Sequence, residues 1–359
     1  MAVAAVAVLV AGVTLALARD TAAPATSSIS PASLSPARVS TSSGTASMRA
    51  AGRAGKTPRA AAAGGSGIDG VTSTPLDPSF FAQGACVAFT PHGGGTRGET
   101  VFIDAGHGGI DPGGTGQTEN GTQVYESQVN LPIEMDAMRV LTGEGYRVVV
   151  SRTEQTTVLK LGPGDTDGGV LSVTGARADI AARDICANMG HANLLAGIYM
   201  DAGYGGAGSV TLYDTARPFA ADNERFANLL QHDVLAGLNA KGYQIPDDGV
   251  SDDTGYGETL SAAGAAYGHL MLLGPAQAGY FTTPSQMPGA LIEPLFLTDP
   301  FEASIAASGS GQRLIADEIA DAAGQYFAAW SPAGTSSVTQ PEIESAGHDY
   351  VARGHLADG

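Results

Sequence analysis

Basic side chains are scarce in this sequence of 359 residues. The chain has 18 Lys and Arg against 36 Asp and Glu, which gives a formal net charge of −18. Nucleic acids and anionic membrane surfaces are bound through basic patches, so this charge argues against both as partners. It favours solubility and a neutral or cationic polymer as the partner.

Cysteine is also rare, with only Cys86 and Cys186 in the chain. Two cysteines are compatible with a single disulfide in an oxidising compartment. Closing so long a loop would contribute about 4–5 kcal/mol in the chain-entropy model. Alternatively, Cys186 is a small buried hydrophobic residue on a helix. The sequence leaves both interpretations open.

Large apolar residues are nearly absent from 19 to about 70, whereas residues 2–18 are an uncharged apolar run ending in Ala16-Leu17-Ala18. This run fits the apolar region and cleavage site of a secretory signal, although the usual basic residues before it are missing. An uncleaved anchor and a start codon placed too late are the alternatives. Each implies export. We therefore expect a signal peptide or anchor at 1–18, and a protein that is secreted or membrane-tethered in the cell envelope.

The Ala, Ser, Thr and Pro composition of 19–77 predicts a disordered tether, and 331–359 predicts a disordered tail, because neither can bury enough apolar surface to fold. A single domain at 78–330 remains, which we expect to be monomeric. Within it, short apolar runs alternate with helical segments, a pattern typical of an α/β fold with a mostly parallel sheet. The predicted strands are 100–106, 146–152, 193–201, 208–214 and 289–296, and the predicted helices are 126–144, 174–189, 219–240 and 311–328.

Several motifs of other protein classes are missing. No internal repeat, heptad pattern or EF-hand spacing is present, and no G-x-S-x-G precedes a helix as a serine hydrolase would require. The acidic stretches "DTDGG" (165–169) and "DDGVSDDTGYGE" (247–258) are predicted to be solvated loops, with Ca²⁺ binding as the less favoured alternative.

Candidate functional side chains lie where the predicted strands end. Ligand sites of open α/β sheets lie beyond the carboxyl ends of the strands. His107, Tyr199, Asp201 and Glu293 each stand at or just past such an end, and Glu126 opens the first helix. Imidazole and carboxylate are good Zn²⁺ ligands, which makes His107 and Glu126 candidate metal ligands. Asp104 and Asp111 are near enough in sequence to accept a hydrogen bond from the other ring nitrogen.

Five segments together resemble the zinc-dependent N-acetylmuramoyl-L-alanine amidases, over roughly residues 100–328. They are "FIDAGHGGIDPGGTG", "VYESQVNL", "GYRVVVSRTE", "ARADIAARDICANMGHANLLAGIYMDAG" and "PGALIEPLFLTDP". The resemblance implies a twisted sheet flanked by helices. It also implies hydrolysis of the amide between the lactyl group of N-acetylmuramic acid and L-alanine in peptidoglycan. His107 and Glu126 match zinc ligands of the family, and Glu293 matches its catalytic glutamate.

The third zinc ligand of the family is a histidine, and Tyr199 stands in its place. Alternation along a strand puts Asp201 on the same face, so either Asp201 or Tyr199 could replace the ligand. His191 and His269 are less favoured loop alternatives. Arg152, Arg177 and Arg183 match arginines of the family. We expect these arginines to form structural ion pairs in the first place; the second interpretation is that they, and chiefly Arg177, bind a carboxylate of the substrate.

Two functions are therefore considered. The first is an exported zinc amidase in which Zn²⁺ activates water and Glu293 transfers its proton to the leaving amine. The second is a catalytically degenerate relative that binds muropeptide, or regulates cell-wall hydrolysis, without cutting. The presence of Glu293 favours the enzyme, since a binding protein has no need of that carboxylate.

Overall fold

The computed structural model describes residues 70–92, 96–203, 206–255 and 267–329. The described residues form twelve strands: β1 (Val71–Pro75), β2 (Ala85–Pro91), β3 (Thr100–Ala105), β4 (Thr115–Gln117), β5 (Gln123–Tyr125), β6 (Arg147–Arg152), β7 (Thr166–Asp167), β8 (Val170–Leu171), β9 (Leu194–Ile198), β10 (Ser209–Tyr213), β11 (Asp247–Asp252) and β12 (Gly289–Glu293). The helices in these ranges are α1 (Glu126–Gly143), α2 (Val173–Met189), α3 (Ala220–Ala240), α4 (Pro300–Ala306) and α5 (Gly309–Ala329).

Eight strands form one mixed sheet in the order β1-β2-β6-β3-β9-β12-β10-β11. The four central strands β6, β3, β9 and β12 are parallel to one another. β10 runs antiparallel to β12 and carries β11 parallel to itself, while β1 and β2 are added antiparallel at the other edge. The predicted α/β fold with helices flanking a sheet is confirmed, and its parallel part is the centre of the sheet.

The core lies on both faces of this sheet because side chains alternate along each strand. Along β3, Val101 and Ile103 face a cluster that contains buried residues of α1, α3 and α5. Phe102 faces the opposite cluster, which contains buried residues of α2. The central strands are therefore covered on both sides, as expected for parallel strands that read as continuous apolar runs.

Cys86 of β2 and Cys186 of α2 form a disulfide. Of the two alternatives that the sequence left open, the structure has the cross-link. Both cysteines are fully buried in the cluster between α2 and the sheet. The bond therefore attaches the helix to an outer strand across a separation of 100 residues.

Three local expectations are corrected. Helix α2 begins at Val173, one residue before the predicted start, and the side chain of Ser172 caps it by accepting a hydrogen bond from the backbone N–H of Gly175. Residues 247–252 form strand β11 and not a loop. Residues 193–201 form a shorter strand, because β9 ends at Ile198 and Tyr199 lies beyond it.

Residues 71–75, which the sequence assigned to the tether, form β1 and pair with β2. Most of β1 is exposed, so backbone hydrogen bonds hold it rather than burial of apolar side chains. The predicted signal or anchor, the tether before residue 70 and the tail at 331–359 lie outside the described residues. Within the described part of the chain, every helix is too short or too polar to cross a bilayer.

Candidate active site

Three central strands end side by side at one edge of the sheet. Asp104 of β3 pairs with Gly197 of β9, and Ile198 pairs with Ile292 of β12. The residues that follow these strands, His107 and Tyr199, therefore lie at the edge where Glu293 ends β12. This is the edge at which the sequence predicted a site.

The loop after β3 turns sharply at His107, which has a left-handed backbone with φ of 60°. A non-glycine residue in this region is held there by its surroundings. Two buried arginines donate hydrogen bonds to the backbone carbonyl oxygens of this loop. Arg183 donates to the oxygens of Ala105 and His107 at 2.8 Å each, and Arg152 donates to those of Ala105 and Gly106 at 3.1 and 3.3 Å. The imidazole is thus presented by a fixed backbone.

The carboxylate of Glu126, at the start of α1, is buried and held by backbone donors. Its Oε1 accepts a hydrogen bond from the N–H of Met200 at 3.0 Å, and its Oε2 accepts one from Gly114 at 2.7 Å. Only 3% of the residue is exposed. Burial alone would raise the pKa of Glu126, but His107 and these donors lower it below its usual range. The group therefore stays ionised.

His107 lies between two carboxylates. Its Nε2 is 3.2 Å from Glu126 Oε2, and its Nδ1 is 2.8 Å from Asp111 Oδ2. Burial lowers the pKa of His107, but Glu126 and Asp111 reverse this effect and raise it well above its ordinary value. With Asp111 holding Nδ1, the ring directs Nε2 toward Glu126, which is the orientation that a carboxylate gives to a metal-binding histidine.

Glycines keep the space beside His107 and Glu126 open. A Cβ at Gly113 would lie 2.6 Å from His107 Cδ2 and 2.7 Å from Glu126 Oε2. One at Gly114 would lie 3.2 Å from the same oxygen. Any side chain at residue 113 would fill this space, and the φ of +67° there also requires glycine.

Tyr199 uses its hydroxyl elsewhere. The hydroxyl donates to Asp104 Oδ2 at 3.1 Å, while Asp104 Oδ1 accepts from Arg183 at 2.5 Å. Burial and the Asp104 carboxylate raise the pKa of Tyr199 well above its ordinary value. A phenol in this state does not supply a phenolate. Of the two acids expected beside His107, Asp111 therefore contacts the ring, and Asp104 instead holds Tyr199 and Arg183.

Glu293 and Asp201 add two further carboxyl groups to this edge. Burial, followed by repulsion from Asp201 and Glu126, raises the pKa of Glu293 to about 8, and His107 opposes this rise. Burial also raises the pKa of Asp201, whose Oδ1 accepts from the N–H of Gly203 at 2.8 Å. Both carboxyl groups therefore interact electrostatically with Glu126.

This donor set fits a divalent cation bound through two protein ligands. Tetrahedral Zn²⁺ with bonds of about 2.0–2.1 Å separates its ligand atoms by about 3.3 Å, close to the 3.2 Å between His107 Nε2 and Glu126 Oε2. The space left by Gly113 and Gly114 adjoins both atoms. The Tyr199 hydroxyl is not directed at them. Among the described residues, neither Asp201 nor Glu293 brings a carboxylate oxygen within 4.8 Å of both atoms, so the expected replacement of the third ligand by Tyr199 or Asp201 is not formed.

Arg177, the expected substrate-binding residue, lies on α2 with its guanidinium 4.4 Å from the centre of the Tyr280 ring. Arg183 has the ion-pair role expected first for the arginines, since it also contacts Asp179 Oδ2 at 3.1 Å. The sequence did not predict that Gly113 keeps the space beside His107 open, or that the N–H of Met200 donates to Glu126. The close glycine pair in "DPGG" is the signal that could have identified the first; no sequence pattern reveals a backbone donor.

Comparisons with known proteins give a match to a protein family and to one curated protein. The family model described as N-acetylmuramoyl-L-alanine amidase matches residues 101–325, more than half of the chain. The uncharacterized protein YqiI of Bacillus subtilis (strain 168) is 25% identical over 231 residues, which cover 64% of this chain and 86% of that protein.

Solved structures of amidases are also similar, with lower sequence identity. The N-acetylmuramoyl-L-alanine amidase from Clostridium difficile 630 is 23% identical with a TM-score of 0.44, covering 65% of this chain and 98% of that one. The CwlD amidase from Clostridioides difficile, solved in complex with the GerS lipoprotein, is 19% identical with a TM-score of 0.47, covering 64% and 98%.

Proposed function

The chain belongs to the N-acetylmuramoyl-L-alanine amidase family, and on that premise we propose that it is an exported, zinc-dependent amidase of peptidoglycan. The bond cut is the amide between the lactyl group of N-acetylmuramic acid and L-alanine. The observation that carries this proposal is the convergence of His107 Nε2 and Glu126 Oε2, 3.2 Å apart, in the neighbourhood of the Glu293 carboxyl.

His107 and Glu126 are the residues that would hold zinc. When bound, zinc supplies a Lewis acid that polarises the amide carbonyl. Asp111 keeps the imidazole oriented through Nδ1. Gly113 and Gly114 keep the approach to the two ligand atoms free of side chains.

Glu293 is the proposed acid and base of the reaction. Water adds to the amide carbon and loses a proton to the carboxylate; the C–N bond then breaks and the amine of L-alanine takes that proton. The burial that raises the pKa of Glu293 favours a carboxyl group that can both accept and return a proton. Neither step consumes another reactant.

The net charge of −18 supports an extracellular polymer as the partner and opposes nucleic acid. The Cys86–Cys186 disulfide supports an oxidising compartment, in line with export. The apolar run at 2–18 supports the same destination as a signal peptide or anchor.

The test is hydrolysis by the full chain of purified peptidoglycan and of a muramoyl peptide, followed through the release of L-alanine amino termini, with zinc content measured on the same sample. We expect zinc-dependent release. The matched control is Glu293→Gln, which keeps the size of the side chain and should keep the zinc while losing at least about a hundredfold in rate. Equal rates for the two proteins would exclude the proposed role of Glu293.

A second function is favoured by one observation, the engagement of the Tyr199 hydroxyl with Asp104. If the loss of a histidine ligand abolishes cation binding, the chain would bind muropeptide without cutting it. The same experiment separates the two functions, because a protein that retains muropeptide, contains no zinc and releases no L-alanine termini fits only the second.

A further inference from the structure

A second group of ionisable side chains lies at the opposite edge of the sheet. Asp214 directly follows β10, and Asp253 directly follows β11, which is parallel to β10. β10 runs antiparallel to β12, so these two aspartates lie beyond the start of β12, away from Glu293 at its end. His269 joins them, and the donor atoms of all three residues lie within 4.8 Å of one another.

Each aspartate is anchored through one oxygen and directs the other into the cluster. Asp214 Oδ1 accepts from the N–H of Arg217 at 2.9 Å, and Asp253 Oδ2 accepts from the N–H of Leu270 at 2.9 Å. The other two oxygens, Asp214 Oδ2 and Asp253 Oδ1, lie 2.9 and 3.0 Å from the same atom, His269 Nδ1. Three ligand-type atoms from separate segments therefore meet at one point.

The single proton that His269 Nδ1 can carry cannot form good hydrogen bonds with both carboxylate oxygens. His269 Nδ1 forms its hydrogen bond with Asp253, and Asp214 Oδ2 is a buried oxygen without a hydrogen-bond partner. Both aspartates are fully buried, with 0% of each exposed. A buried carboxylate oxygen without a donor costs free energy unless a cation or a proton compensates it.

The surrounding charges also leave a deficit of positive charge. Asp184 is a third fully buried carboxyl group, and the buried guanidinium of Arg217 interacts with all three aspartates. When every carboxyl is ionised and His269 is neutral, two negative charges are left uncompensated. A cation of charge two bound among these oxygens would compensate them.

We propose that Asp214 Oδ2, Asp253 Oδ1 and His269 Nδ1 bind a divalent transition-metal ion, separate from the site at His107. Metal bonds of about 2.1 Å at the right angles of a six-coordinate ion separate adjacent ligand atoms by about 3.0 Å, and the two oxygens lie 2.9 and 3.0 Å from His269 Nδ1. The tetrahedral spacing of about 3.3 Å is only a few tenths of an ångström longer. One imidazole and two carboxylates suit zinc and its neighbours better than Ca²⁺ or Mg²⁺. The side chain of His269 is 18% exposed, which gives the ion a path from solvent.

The ion would have a structural role. It would join the ends of β10 and β11 to residue 269, and through Asp214 it would adjoin the start of β12, since Asn223 donates to Asp214 O and accepts from the N–H of Gly289.

The test is Zn²⁺ binding by the full chain after chelator treatment, measured as bound zinc after dialysis and as the zinc-induced rise in melting temperature. His269→Gln and Asp253→Asn each remove one ligand with little change in size. His107→Gln is the matched control at the other edge. Because His348 and His355 could also bind zinc, the readout is the difference between variants.

We expect His269→Gln and Asp253→Asn each to bind one zinc fewer per chain than the unsubstituted protein, and His107→Gln to keep the zinc that these variants lose. Zinc should raise the melting temperature of His107→Gln but raise it less, or not at all, in the His107→Gln/His269→Gln double variant. If the proposed amidase site binds no zinc, His107→Gln has no effect while the loss in His269→Gln persists, so the two proposals fail separately.

Equal zinc binding by the unsubstituted protein, His269→Gln and Asp253→Asn would overturn the proposal. So would a melting temperature of His107→Gln that saturating zinc leaves unchanged. This second measurement needs no substitution in the Asp214 cluster and holds even where such a variant does not fold.

Discussion

The hydroxyl of Tyr199 donates to Asp104 Oδ2 at 3.1 Å, and this contact determines what the residue does at the active-site edge. Asp104 is itself paired with Arg183, so the tyrosine is part of a buried network beneath the loop of His107. Its ring packs against Gly106, where a Cβ would come within 2.4 Å of it. Tyr199 therefore has a packing role at the position where the family resemblance implies a metal ligand.

Replacing Tyr199 with His should raise zinc affinity. A neutral imidazole can supply the third protein ligand that catalytic zinc sites ordinarily have. We expect a gain of at least about tenfold, the scale on which changes around a zinc ion alter its affinity. Competition with a zinc chelator measures it. Tyr199→Phe is the control, which should keep the zinc affinity while costing about 1 kcal/mol of stability through the lost hydrogen bond. A loss of zinc in Tyr199→Phe would show that the phenol is a ligand.

Replacing Gly113 with Ala should abolish zinc binding beside His107. The new methyl group would lie 2.6 Å from His107 Cδ2 and 2.7 Å from Glu126 Oε2, so one of the ligands must move. Gly121→Ala is the matched control: its φ of +81° imposes a similar backbone strain of about 1–2 kcal/mol, but no atom lies within 4 Å of the new Cβ. Zinc titration of both variants compares their zinc affinities. Equal affinities would contradict the account of this space.

Replacing Arg183 with Met should destabilise the protein by about 3–5 kcal/mol, because Asp104 and Asp179 would be left buried without their partner. The exposed pair of Arg139 and Asp136 provides the comparison, since Arg139→Met should cost less than about 1 kcal/mol. Denaturant unfolding gives both values. Similar costs for the two substitutions would mean that Arg183 does not support the His107 loop as described.

Glu134→Gln should flatten the pH dependence of stability. Burial raises the pKa of Glu134 from 4.5 to about 8, so the folded state binds this proton more tightly than the unfolded state. Its contribution is complete below about pH 4.5 and is lost as the pH rises through 8, at up to about 1.4 kcal/mol per pH unit. Gln keeps an oxygen that can accept from Ser151. Melting temperatures between pH 5 and 8 should fall less in the variant than in the unsubstituted protein. A parallel fall would contradict the prediction.

The sequence predicted those parts of the fold that depend on apolar periodicity. The runs before His107 and Glu293 were identified because the central strands are covered on both faces. β11 was missed because its sequence, "DDGVSD", has one large apolar residue and forms a strand by pairing with β10. Propensity carries little information about a strand that tertiary pairing imposes.

The candidate site was predicted as a set of residues but not as an arrangement. Strand ends and glycines indicated His107 and Glu126, and the substitution at residue 199 was visible in the sequence. The direction of the Tyr199 hydroxyl was not, since it depends on Asp104 and Arg183, 95 and 16 positions away. The meeting of Asp214 and Asp253 likewise follows from the parallel pairing of β10 with β11, which no local pattern encodes.

Anomalous diffraction at the zinc absorption edge, from crystals of the full chain grown with Zn²⁺, tests most directly whether His107 and Glu126 hold a cation. We predict a peak about 2.0–2.2 Å from both His107 Nε2 and Glu126 Oε2. No peak between these atoms at saturating zinc, with the two side chains still bonded to each other, would contradict the account.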